Sequence, residues 1–62
     1  MDGNQRRNAI LKQLQSTNGT VTATAFAEQY GVTRQIIVSD IALLRANGNK
    51  IIAEKRGYFL EK

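Results

Sequence analysis

The side chains able to do chemistry fall into three groups. Gln35 and Ser39 are four residues apart and would share one face of any helix that holds them. Lys55 and Arg56 are adjacent and precede a glycine, and Arg6 and Arg7 stand together near the amino end. None of these is a catalytic constellation. The 62 residues include no cysteine and no histidine, which removes the usual nucleophiles, proton carriers and metal ligands. The five carboxylates, Asp2, Glu28, Asp40, Glu54 and Glu61, are scattered and show no paired spacing, so an enzyme is not expected. What remains is recognition by hydrogen bond and positive charge. Nine Lys and Arg against five Asp and Glu give +4, a balance that favours polyanionic partners such as nucleic acid. The excess lies in residues 32–62, with six basic and three acidic groups against three and two before them.

The elements that must position these groups can be read from periodicity. Ala23, Phe26, Ala27 and Tyr30 recur at i, i+3, i+4 and i+7, and Ile37, Ile41 and Leu44 repeat the pattern in part, which predicts helices over 23–30 and 34–47. Thr22 and Thr33 are their N-cap candidates. Each is flanked by an apolar pair suited to a hydrophobic staple, Val21 with Phe26 and Val32 with Ile37. Gly31 sits where the first of the two must end in a left-handed residue. At 100° per residue, with Ile37 at zero, Gln35, Ser39, Ala42 and Ala46 fall at about 140–200°. That face is small and polar, which suits a helix entering a groove; the alternative is an ordinary surface helix of low charge.

Sixty-two residues make at most one domain, and one this small leaves much of its surface unburied. A first helix is expected from about Gln5 to Ser16, with Ile10, Leu11 and Leu14 inward and Arg6, Arg7, Lys12, Gln13 and Gln15 outward; Asp2 and Asn4 are both possible caps. Asn18-Gly19 ends it. Thr20-Val21-Thr22 is short but could pair with the edge of a later hairpin. Asn47-Gly48-Asn49 stops the third helix, and Lys50–Glu54 and Tyr58–Glu61 read as strands around a three-residue turn, Lys55-Arg56-Gly57, with Gly57 at positive φ. Two strands alone are marginal, so Ile52, Tyr58, Phe59 and Leu60 are expected to lean on the helices. No apolar run reaches the roughly 20 residues that span a bilayer, and no signal peptide is evident, so a soluble cytoplasmic protein is expected.

These residues carry a resemblance. Ala27-x-x-x-Gly31-Val32-x-Arg34-x-x-Ile37 is similar to the helix-turn-helix pattern. Val32-Thr33-Arg34-Gln35-Ile36-Ile37-Val38-Ser39-Asp40-Ile41-x-Leu43-Leu44-Arg45-x-x-Gly48 resembles bacterial winged-helix repressors, most narrowly the niacin-responsive ones, with the biotin repressor's N-terminal domain and the DeoR-type regulators as wider relatives. The likeness runs from Arg7 to Leu60. It implies a mainly α fold with a small β-hairpin, the winged helix-turn-helix of three helices plus a wing. It also implies sequence-specific binding of double-stranded DNA, with the third helix in the major groove.

The positions matching the family's contacts are Thr33, Arg34, Gln35, Val38 and Ser39. Gln35 suits adenine, Arg34 guanine or a phosphate, and Val38 a thymine methyl. Lys55 and Arg56 at the wing tip, with Arg6 and Arg7, would hold the backbone; the alternative for the first two is a soluble turn whose charges guard an edge hairpin. The two amino-terminal arginines oppose the dipole of their helix, a conflict that a phosphate would relieve; the alternative is that they are simply solvated. Ser39 is shorter than the residue common at its position, and Asn49 replaces a frequent aromatic. Asp40 matches an acidic position and is expected to bond a neighbouring helix, since phosphates repel a carboxylate.

Residues 1–62 are expected to be a single DNA-binding domain, either a stand-alone module or, as the resemblance implies, a fragment of a longer parent protein. Its C-terminal domain would sense niacin, hold a metal through histidines and dimerise; this chain itself is expected to take no cofactor and to be monomeric alone. A competing reading is a winged-helix docking module that binds protein and no nucleic acid. It would show a contiguous apolar patch on the third helix.

Overall fold

The computed structural model describes all 62 residues. Its elements in chain order are α1 (Gly3–Ser16), α2 (Ala23–Tyr30), α3 (Arg34–Ala46), β1 (Ile51–Glu54) and β2 (Gly57–Leu60). This is the expected mainly α architecture with an antiparallel hairpin, consistent with a winged helix-turn-helix. No helix is long and apolar enough to cross a membrane.

The core is one layer of side chains shared by every helix. Ile10 and Leu14 come from α1, Ala23, Phe26 and Ala27 from α2, Ile37, Ile41 and Leu44 from α3, and Ile51 from β1. Phe26 and Ile37 are completely enclosed, and each such side chain stabilises the fold by about 1.5–3 kcal/mol through burial. Leu11 and Tyr30 lie at the margin of this layer, half-buried.

Helix starts follow the cap chemistry. Thr22 Oγ1 accepts from the Ala25 amide at 3.0 Å and Thr33 Oγ1 from the Ile36 amide at 3.2 Å. Gly31 closes α2 in the left-handed region, φ 66. The first helix begins at Gly3, two residues before the expected Gln5, because Asp2 is the cap: its carboxylate accepts from the Gln5 amide at 2.8 Å and the Gln5 side chain accepts in return from the Asp2 amide. The third helix stops at Ala46 rather than Asn47. The Asn49 amide and side chain both donate to the Leu44 carbonyl there, so the residue in place of the aromatic works as a helix-end cap.

The hairpin differs from expectation in detail. Glu54 pairs with Gly57, so Gly57 opens β2 and Lys55 and Arg56 are left as the turn. Gly57 has φ 127, and a Cβ there would lie 2.6 Å from the Val21 carbonyl oxygen. That close approach is what lets Val21 join the sheet: its amide donates to Tyr58 O at 2.9 Å and its carbonyl accepts from the Tyr58 amide at 2.8 Å. The extended 20–22 segment thus pairs with the hairpin as anticipated. Register also corrects which strand residues face inward. Ile51, not Ile52, enters the core, because side chains alternate and Ile51 opposes Leu60. Ile52 stays 37% exposed, opposite Phe59.

Candidate nucleic-acid interface

Helix α3 buries Ile37, Asp40, Ile41 and Leu44 and exposes the remainder of its surface. Thr33, Arg34, Gln35, Val38 and Ser39 are all exposed, together on the first two turns. Their helix positions were legible because burial of the 37/41/44 stripe leaves the opposite face outward.

A groove of about 430 Å³ runs beside this helix start. Arg34, Thr22, Ala23 and Thr24 line one side, and Ala53, Glu54, Lys55, Gly57 and Tyr58 the other. The fold therefore brings Arg34, Lys55 and the amino end of α2 to one place, although they are far apart in sequence. Arg56 stands exposed at the hairpin tip, its carbonyl accepting from Thr20 Oγ1 at 2.9 Å, which ties the tip to the loop before α2. Two cations, Arg34 and Lys55, and the amino end of α2 line this groove against one carboxylate, Glu54, so its balance is positive and suits an anion such as a phosphate. Thr22 and Thr24 also line it; the sequence marked Thr22 only as a helix cap and did not single out Thr24, for which the signal was the run of hydroxyl residues from Thr20 to Thr24.

Arg6 and Arg7 are placed differently. Asp40, only 2% exposed, accepts from Arg6 Nε at 2.5 Å, from a second Arg6 nitrogen at 3.0 Å and from Arg7 at 3.1 Å; Arg7 also donates to Asn4 at 2.7 Å. The arginines are more than solvated surface charges: both are half-buried against α3 and paired with Asp40, and both keep a partial exposure. Asp40 therefore plays the helix-bridging part expected of it. Burial pushes its carboxyl upward, but hydrogen bonds and charge from Arg6 and Arg7 outweigh that and hold it below the ordinary carboxylate value. The hydrogen bond to Asp40 in turn raises Arg6, against its partial desolvation. The dipole conflict at the start of α1 is thus relieved inside the chain. Gln13 is also half-buried rather than outward, in a reciprocal amide pair with Gln29 and under the Tyr30 hydroxyl.

No three His, Cys, Asp or Glu side chains come together in a group that could hold a metal ion.

Sequence comparison relates the chain to known proteins. A probable transcription repressor, NiaR of Thermotoga maritima, is 41% identical over 56 residues, covering 90% of this chain and 32% of that protein. The transcription repressor NadR of Bacillus subtilis is 39% identical over 56 residues, covering 90% and 31%. The chain spans about a third of the length of these relatives. The family model described as HTH domain matches residues 6–59, which takes in most of α1, all of α2 and α3 and the hairpin nearly to its end: the chain belongs to the helix-turn-helix (HTH) domain family.

Proposed function

We propose that this chain is the DNA-binding domain of a longer bacterial transcriptional repressor of the niacin-responsive kind, acting in the cytoplasm. The carrying observation is the joint exposure of Gln35, Val38 and Ser39 on α3 beside a groove that gathers Arg34, Lys55, Thr22 and Thr24. Helix α3 enters the major groove, where its first turns meet base edges. Lys55, Arg56, Arg34 and the Thr33 cap hold phosphates and fix the register without reading sequence. Arg6 and Arg7 share one Asp40 carboxylate and keep one net positive charge beside α3, so Arg7, the more exposed, is the one available to a phosphate. The relatives named as repressors support this reading, as does the basic second half of the chain. In a dimeric parent two copies of α3 would lie on half-sites about one DNA turn, or a multiple, apart.

An amide chemical-shift titration of the labelled chain with a random-sequence duplex, at low and moderate salt, tests the proposal. Shifts concentrated at Thr33 to Ser39 and Lys55 to Gly57, fading as salt rises, are expected. Absence of shifts at low salt would leave the protein-docking reading in its place.

A further inference from the structure

The exposed half of α3 is unbalanced in its chemistry. Apart from Arg34, Gln35 and Ser39, its outward side chains on the first three turns are apolar: Ile36 is 39% exposed, Val38 40% and Leu43 48%, with Ala42 between them. A single exposed aliphatic residue needs no explanation. These are arranged, however. With Ile37 at zero, Val38 falls near 100°, Gln35, Ala42 and Ser39 at about 140–200°, and Leu43 and Ile36 near 240–260°. A polar strip therefore has an aliphatic border on each side.

The helix's cations are elsewhere. Arg34 lines the groove shared with α2 and the wing, and Arg45, the other arginine of α3, donates its Nε to the Ile51 carbonyl at 2.8 Å. The commonest reader of guanine is an arginine or lysine reaching O6 and N7, and neither arginine of this helix belongs to the strip. What the strip does offer is one amide, which matches adenine N6 and N7, one permissive hydroxyl, and methyl groups. In the major groove the only methyl among the four bases is the C5 methyl of thymine.

Resting on the DNA-binding proposal, we infer that the base readout of this chain is directed at A·T pairs, with Gln35 on an adenine and Val38 and Ile36, on the two flanks, against thymine methyls. Thymine's methyl stands toward the side of the groove, which is where the flanks of an inserted helix lie. Packing a methyl on an exposed aliphatic side chain removes apolar surface from water on both partners, so the contact favours thymine over cytosine without a hydrogen bond.

The test compares the full chain on two duplexes of equal length, about two helical turns, at one low salt concentration: A·T-rich and G·C-rich. A third duplex repeats the A·T-rich sequence with every thymine replaced by deoxyuridine, which deletes only the C5 methyl. Binding to the A·T-rich duplex is expected to be about tenfold tighter than to the G·C-rich one, and to weaken several-fold on the uracil duplex. For Val38→Ala and Ile36→Ala, neither of which belongs to the buried core, the thymine-to-uracil ratio should fall toward unity. Equal, salt-dependent binding to all three duplexes would overturn the inference while leaving the DNA-binding proposal standing. The same holds for a thymine preference that survives in both variants. No binding to any duplex would remove the DNA-binding proposal itself, and the A·T reading with it.

Discussion

Asp40→Ala should be among the most damaging exposed-surface-sparing changes to this chain, and the structure says by how much. Asp40 is buried at 2% exposure and is the common acceptor for two arginines of α1. Removing one partner of a fully buried ion pair costs about 3–5 kcal/mol because the other charge is stranded. Arg6 and Arg7 keep some contact with water, at 15% and 23% exposure, which lowers the expectation to about 2–3 kcal/mol. A chain of this size has only about 3–5 kcal/mol of stability to lose. With a urea slope of about 1 kcal/mol per molar, the unfolding midpoint should drop by about 2–3 M. Arg6 occupies both carboxylate oxygens while Arg7 reaches one, so Arg6→Ala should come close to Asp40→Ala, and Arg7→Ala should cost about 1 kcal/mol or less. Urea unfolding followed by circular dichroism reads all three. An unchanged midpoint for Asp40→Ala, or equal losses for the two arginines, would refute the reasoning.

The same cluster sets a pH dependence. Because the Asp40 carboxyl is held below its usual value in the folded chain, its stabilising contribution is complete above about pH 4 and is lost as pH falls through the lowered value. Urea midpoints taken from neutral to strongly acid pH should show this loss in the native chain and a shallower one in Asp40→Asn. Lys55→Ala and Arg56→Ala should each weaken binding to every duplex alike and flatten the log–log salt slope by about one unit, measured by fluorescence anisotropy. Gln35→Ala should instead cost about 1–3 kcal/mol on a preferred site and relax one base position; equal losses on preferred and random duplexes would exclude base readout by this residue. Gly57→Ala should lower stability by about 1–3 kcal/mol, since the added Cβ meets the Val21 backbone and φ is 127. Hydrogen exchange at the Val21 and Tyr58 amides would report the broken bridge.

The sequence by itself determined what depends on neighbours along the chain. Helices over 23–30 and from 34 to within one residue of the observed end at Ala46 follow from the spacing of Phe26, Ala27, Ile37, Ile41 and Leu44, and their starts from Thr22 and Thr33, because a cap and a 3.6-residue stripe are local properties. The exposed face of α3 is legible for the same reason. Only the tertiary structure decided which charges are spent inside and which are left outward. Arg6, Arg7, Lys55 and Arg56 are alike as residues, yet a carboxylate 33–34 positions away captures the first two, while the wing leaves the others exposed. Register is the other case: Ile51 and Ile52 are identical neighbours, and pairing with β2 alone selects Ile51 for the core. The physical reason is common to both. Charge pairing and strand register are set by contacts between segments distant in sequence, and one chain's local pattern carries no record of which distant segment will be there.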